Sequence, residues 1–298
     1  VLKKIILSGL ILSTTILLQS CSSNAKASLN KEVKNQHTKH VVLISIDGLM
    51  PDVLLKTNTP KLNSQWKRGS YSFKAKTIVP SLTLPSHTSM LTGTKFEVHK
   101  VYWNDYDYSK SIPVKTIFEI AKEYNLKTAA FVAKEKFKHF NKNNTPDNFF
   151  YPGYDYKKVL EGAEKDIIKD KPNFSFIHLA EIDGTGHTFG WQSTAQKSML
   201  EEMDPYIGKF ISKVEKNIDD AVVIITSDHG GHWLTHGSDS QEDTTIPWIA
   251  KGYKIKENYE INENIVTYDT TATALWLLGA ENTEIDGKAI KDILESSK

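Results

Sequence analysis

The sequence predicts an α/β domain with a mainly parallel central sheet and helices on both faces. Three observations carry this reading. From Val41 onward, short β-branched apolar runs alternate with segments of helical spacing. The first run, VVLISID, is continuously apolar, the pattern of a strand covered on both sides. No internal repeat and no clear second domain interrupts the alternation.

Taken in order, residues 1–20 come first and stand apart. Lys3 and Lys4 precede IILSGLILSTTILL, an apolar stretch of about 14 residues, shorter than the ~20 a membrane span needs. Basic, apolar and then small residues make the layout of a secretory signal. LQSCSSN (18–24) resembles the bacterial lipoprotein signal, in which cleavage leaves Cys21 as a lipid-modified N-terminus. The expected location is therefore the cell envelope of an exporting bacterium, lipid-anchored to a membrane, periplasmic or outer face. Cys21 is the sole cysteine, so the exported chain has no disulfide and no thiol for catalysis or metal binding. Residues 21–40 are polar and lack apolar period, as in a flexible tether. Residues 41–298 are expected to form one catalytic domain.

Within that domain VVLISID (41–47) is the first expected strand. KTIFEIAKEYN (115–125) has helical spacing and leads into a second strand, LKTAAFVA (126–133). NFSFIHLAEID (173–183) is the third, followed by a long amphipathic segment over 193–216. AVVIITSD (221–228) is the fourth and TTIPWIA (244–250) the fifth. TYDTTATALWLLG (267–279) reads as a helix stopped by Gly279.

The 298 residues are 39% hydrophobic and 24% charged, enough for a substantial core. A net charge of +1 gives no field to hold nucleic acid, and no stable nucleic-acid partner is expected. Arg68 is the one arginine among 37 basic residues. Anion recognition must therefore rest on lysine, backbone amides or metal rather than on arginine forks.

Chemistry concentrates at the strand ends, where open α/β sheets place their sites. SDHGGHWLTHG (227–237) carries Asp228, His229, His232 and His236 just after a strand. The first strand closes with Asp47, and the third with Asp183, followed by His187 in EIDGTGH. One such aspartate is ordinarily a cap or turn residue. Three, two with a histidine close by, point to a metal site, because carboxylate and imidazole are common zinc ligands. In PSLTLPSHTSMLTG (80–93), Thr83 lies just before Pro85, and proline favours a first helical turn. Thr83 thus sits near a helix N-terminus, where free amides and the dipole favour phosphate.

SIDGLMPD, SLTLPSHTSMLTG, NDY, EIDGTGH and SDHGG, in this order, resemble the alkaline phosphatase superfamily, and within it the type I phosphodiesterase and nucleotide pyrophosphatase branch. The resemblance runs from about Val41 to Gly252. It implies two divalent metal ions, usually zinc, although manganese or iron suits the same ligands. By analogy Asp47, Thr83, Asp228 and His229 hold one metal. Asp183, His187 and a later histidine hold the other. No histidine follows His236, so the last ligand is His232 or His236, with His236 favoured. The resemblance also implies that Thr83 attacks phosphorus to give a phospho-threonine, which water then hydrolyses. Asn104, in VYWNDY, matches the asparagine whose amide donates to a phosphoryl oxygen.

Lys134 and Lys136, in FVAKEKF, follow a strand and point the same way if it stays extended. Such a pair resembles the one with which monoesterases and phosphonate hydrolases of the superfamily contact phosphoryl or carboxylate oxygens. It pulls against a purely diesterase reading. The expected substrate is a small phosphate ester, whether a phosphodiester, a nucleotide or a phosphomonoester. Alternatives are a phosphonate hydrolase and a non-catalytic lipoprotein that binds phosphate or metal. A sulfatase is disfavoured, since no cysteine and no arginine lies near Thr83.

Overall fold

A computed structural model describes residues 31–282 and 284–295. The expected secretory signal (residues 1–20) and Cys21 lie outside the described residues. From its start the domain runs β1 (His40–Ile46), α1 (Pro51–Leu55), α2 (Pro60–Lys67), β2 (Ser70–Lys76) and α3 (Thr83–Thr92). α4 (Phe96–His99), α5 (Ile117–Glu123) and β3 (Thr128–Val132) follow, then a 3-10 turn over Glu135–Phe140 and β4 (Asn148–Phe150). Next come α6 (Tyr156–Asp170), β5 (Phe174–Leu179), α7 (Glu181–Phe189), α8 (Thr194–Asn217) and β6 (Ala221–Thr226). The chain closes with α9 (Gln241–Thr244), β7 (Thr245–Gly252), β8 (Tyr259–Glu260) and α10 (Asp269–Leu277), before a last 3-10 turn over Lys291–Ile293.

The eight strands form one sheet in the order β4-β3-β5-β1-β6-β7-β2-β8. From β4 to β6 every neighbouring pair is parallel. β7 runs antiparallel to both of its neighbours. The core is two apolar layers, one on each face. One packs α3, α5 and α10 against Val41, Leu43, Phe176 and Ile224. The other packs α2, α6 and α8 against Val42, Ile44, Ile177 and Val223. Alternation along β1, β5 and β6 sends successive residues to opposite layers. Burial on both sides explains why these strands read as mainly apolar runs. The fold is the expected mixed α/β sheet with helices on both faces.

Local chemistry fixes the helix ends. Thr116 and Glu119 form a reciprocal capping box at the start of α5. Asp155 and Ser193 cap α6 and α8. Gly93, with φ of 70°, ends α3.

Four expectations need correction. The third strand ends at Leu179, not Asp183, and residues 181–189 form α7. Glu181 initiates that helix by accepting hydrogen bonds from the Ala180 and Tyr156 amides at 2.9 and 2.7 Å. Lys134 and Lys136 do not sit on an extended chain, because β3 stops at Val132 and a 3-10 turn begins at Glu135. The strands β2, β4 and β8, all toward the sheet margins, were not singled out in the sequence. The stretch 31–39 is not a loose tether. Lys31 donates to Glu123, Lys34 to Gly279, and His37 and Thr38 to Leu277, through backbone bonds of 2.8–3.0 Å that dock it on the ends of α5 and α10.

Candidate metal centre

The carboxyl ends of β1 and β6 lie side by side, since the two strands pair in parallel from His40↔Ala221 to Ser45↔Thr226. Asp47 therefore emerges beside Asp228 and His229. The next residue, Gly48, has φ of +74°, and a Cβ there would lie 2.9 Å from the Asp183 Cα. Only glycine lets the turn after β1 pass so close to α7. On α7, Asp183 and His187 are four residues apart and share one helix face. Thr83 opens α3, and His236 enters from the loop after β6. Five chain segments thus converge on one place.

The three histidines of the convergence are oriented alike. His187 Nδ1 bonds the Leu234 carbonyl at 2.9 Å, His229 Nδ1 that of Gly230 at 2.8 Å, and His236 Nδ1 that of Ser81 at 2.8 Å. A carbonyl only accepts, so each Nδ1 carries the proton and each Nε2 keeps a free lone pair. Those Nε2 atoms face carboxylates. His229 Nε2 lies 3.4 Å from Asp47 Oδ1, 3.2 Å from Asp228 Oδ2 and 3.4 Å from Thr83 Oγ1. His187 and His236 approach Asp183 Oδ1 at 3.3 and 3.6 Å.

Each aspartate is likewise divided. Asp47 Oδ2 accepts from His178 at 2.8 Å and from Lys134 at 2.6 Å. Asp183 Oδ2 accepts from Lys134 at 2.6 Å, and Asp228 Oδ1 from the Gly48 amide at 3.2 Å. Asp47 Oδ1, Asp183 Oδ1 and Asp228 Oδ2 are buried without a hydrogen-bond partner. A buried carboxylate oxygen left bare is costly unless a cation takes it. Two groups of three ligand atoms lie within 4.8 Å of one another: Asp47, Asp228 and His229, and Asp183, His229 and His236. His187 borders the second group through Asp183. Bare oxygens and free imidazole lone pairs in this arrangement fit divalent metal.

The electrostatics agree. Three aspartates face one paired lysine, which leaves an excess of negative charge. Burial would raise the Asp47 carboxyl, but Lys134 and His178 hold it well below the usual range. Asp228 has no lysine against it, and burial and the Asp47 charge push it up to about 7. Burial, reinforced by the neighbouring His229, lowers the His236 imidazole to about 4, so it is neutral and ready to ligate. The Asp183 carboxylate beside its ring raises His187.

Other predicted residues fall around this core. Asn104 Oδ1 accepts the Leu84 amide of α3 at 2.9 Å, which holds the side chain at that helix end and leaves its NH2 as the group able to donate. Lys134 bridges Asp47 and Asp183. Lys136 has no ion-pair partner among the described residues, and burial, then Lys134, lowers its ammonium. His232 leaves the centre: its Nδ1 meets Asp243 Oδ1 at 2.6 Å, while Asp243 Oδ2 accepts from Ser238. Between the two candidates for the last ligand, the geometry favours His236.

Two buried histidines beside the centre were not singled out from the sequence. His87 Nε2 contacts Ser45 Oγ at 2.8 Å, and its Nδ1 contacts the Thr83 carbonyl at 2.8 Å. His178 bonds Asp47. The available signal was a polar ring inside an otherwise apolar strand, FSFIHL.

The profile of the family described as type I phosphodiesterase / nucleotide pyrophosphatase matches residues 41–239. A bis(5'-adenosyl)-triphosphatase from Xenopus laevis is 29% identical over 224 residues, covering 66% of this chain and 48% of that protein. An alkaline phosphatase from a Sphingomonas species is 39% identical over 72 residues, covering 24% of this chain and 12% of that protein. The chain spans about half the length of the first of these relatives. Murine ectonucleotide pyrophosphatase / phosphodiesterase 5, solved with AMP, superposes with a TM-score of 0.77 at 16% identity, covering 86% of this chain and 100% of that one. With the profile spanning both the strand-end aspartates and the histidine loop, the chain belongs to the type I phosphodiesterase / nucleotide pyrophosphatase family.

Proposed function

We propose that this protein is a metal-dependent hydrolase of phosphate esters that works through a phospho-threonine at Thr83. The observation that carries the reading is the cluster of bare carboxylate oxygens and free Nε2 atoms, with Thr83 Oγ1 3.4 Å from His229 Nε2 at its edge. Asp47, Asp228 and His229 would hold one divalent cation with Thr83, and Asp183, His187 and His236 a second. Zinc suits these donors best. Such cations supply positive charge that stabilises a threonine alkoxide and the departing oxygen.

The chain's own groups do the rest. Thr83 opens α3, whose N-terminal dipole favours the negative phosphoryl group. Its oxygen bonds to phosphorus as the ester bond to the leaving group breaks, and the leaving oxygen keeps the electron pair. Asn104, its carbonyl fixed by Leu84, offers its NH2 to a phosphoryl oxygen. Water then cleaves the phospho-threonine. Removing one such donor from developing charge costs roughly 3 kcal/mol in comparable sites.

The substrate we infer is a phosphodiester or nucleotide anhydride rather than a monoester. Lys134 is committed to two aspartates, so of the lysine pair Lys136 alone is available for a substrate oxygen. A dianionic monoester offers one more charge to neutralise than a diester does. The Xenopus laevis relative's name, a bis(5'-adenosyl)-triphosphatase, points the same way, and the AMP held by the murine protein points to a nucleotide. The exposed ring of Tyr102, beside Asn104, would be available to stack a nucleobase. We also place the protein at the cell envelope, exported and lipid-anchored through Cys21. Among the described residues no helix is long and apolar enough to cross a membrane.

The test uses the chain without residues 1–21, after metal analysis. Turnover of bis-p-nitrophenyl phosphate is compared with that of p-nitrophenyl phosphate, with Thr83→Ala as the blank. We expect the diester to be preferred and Thr83→Ala to be inactive on both. Preference for the monoester would return Lys134 to the substrate. Equal activity of Thr83→Ala would remove the phospho-threonine.

A further inference from the structure

We infer that His178 is a positioning residue that makes Asp47 present one chosen oxygen, Oδ1, to a metal ion. The inference rests on the metal-dependent reading above.

His178 occupies an unusual place. Along β5, Phe174, Phe176 and His178 point to the same layer of the core, and the two phenylalanines are fully buried there. An apolar side chain would satisfy that position without cost. The imidazole is instead completely buried, and its Nδ1 finds no partner. Burying a polar ring against apolar neighbours is unfavourable unless a specific bond compensates. The compensating bond is the 2.8 Å contact from Nε2 to Asp47 Oδ2. The carboxylate accepts, so Nε2 carries the proton, and the bare Nδ1 is an acceptor rather than a stranded N–H.

The ring is held from behind. Phe137 packs on it with centroids 4.2 Å apart, and His87 meets it edge-on at 5.1 Å. Phe137 belongs to the same 3-10 turn whose first flanking residue is Lys134. One short segment therefore supplies both the clamp on His178 and the ammonium on Asp47. Both donors, His178 Nε2 and Lys134 Nζ, converge on Oδ2. Oδ1 is left as the bare atom, 3.4 Å from His229 Nε2 and in reach of the Asp228 group. A purely structural partner could bond either oxygen. Loading both donors on one oxygen fixes the carboxylate's rotation and permits a single-oxygen contact. Partners that orient ligands in this way typically change metal affinity 10- to 100-fold when lost.

Zinc titration of chelator-treated protein tests this, with near-ultraviolet circular dichroism as the folding control. Two variants are compared with the parent. His178→Phe keeps the volume and removes the donor; His178→Gln restores an N–H at the reach of Nε2. We expect His178→Phe to weaken one of two zinc sites about 10- to 100-fold and leave the other unchanged. His178→Gln should recover most of that loss. Parental affinity at both sites in folded His178→Phe would overturn the inference while the metal-dependent reading stands. If the parent itself binds no pair of metals, both fall. Should His178→Phe fail to fold, His178→Asn replaces it, because asparagine offers its N–H only at the reach of Nδ1. Equal zinc affinity of the Asn and Gln variants would then overturn the inference.

Discussion

His232 and His236 stand four residues apart on one loop, yet they face different partners. His236 turns its Nδ1 to the Ser81 carbonyl and its Nε2 to Asp183. His232 spends its Nδ1 on Asp243, which also ties down Ser238 and so staples the loop. His236→Ala should strip about one metal per chain, as counted by elemental analysis. His232→Ala should keep both metals and lose on the order of 1 kcal/mol in thermal stability. Loss of a metal from His232→Ala and none from His236→Ala would reverse the assignment. At this scale the sequence was informative about ligands, because Asp and His just after apolar runs have few other reasons to cluster. It turned Lys134 toward the substrate rather than toward Asp47 and Asp183, and it was silent on His178. Where a lysine ammonium ends depends on the turn beneath it, and the 3-10 geometry after β3 carries no strong local signature. His178 was hidden because a single polar residue in a strand does not reveal its partner across the sheet.

The site depends on how closely elements approach. β1 can deliver Asp47 against α7 only through Gly48, with φ of +74° and no room for a Cβ. Gly153 offers a comparison: its φ is +93°, but nothing lies within 4 Å of its Cβ position. Gly153→Ala should cost only the backbone term, about 1–2 kcal/mol, with metal content unchanged. Gly48→Ala should cost more and lower the binding of metal, since the displaced atoms are the Asp183 backbone. Melting temperature and metal content of the two variants check this. Equal losses would show that the contact with α7 is unimportant. The parallel strands β1, β3, β5 and β6 were legible because burial on both faces makes them continuously apolar. The end of β5 was not. The helix α7 starts there because the Glu181 carboxylate captures the Ala180 and Tyr156 amides, and the Tyr156 partner lies 25 residues away in sequence. Strands β2 and β8 escaped notice because they lie at the sheet margin, where β2 mixes buried with half-buried residues and β8 has only two residues.

Across the whole molecule, the topology explains why candidate ligands from distant parts of the sequence meet. Adjacent parallel strands β5, β1 and β6 end on the same side of the sheet, and α3 delivers Thr83 to that side. The order of motifs along the chain therefore maps onto one small volume, and the family's profile covers that same span. The central claim is that this volume transfers a phosphoryl group to Thr83. The most direct measurement is an acid quench of the metal-loaded protein during turnover of bis-p-nitrophenyl phosphate, followed by peptide mass spectrometry. The account predicts a phosphoryl ester on the peptide holding Thr83 and none in Thr83→Ala. Rapid turnover in which Thr83 stays unmodified at every quench time, and Thr83→Ala keeps its activity, would contradict it.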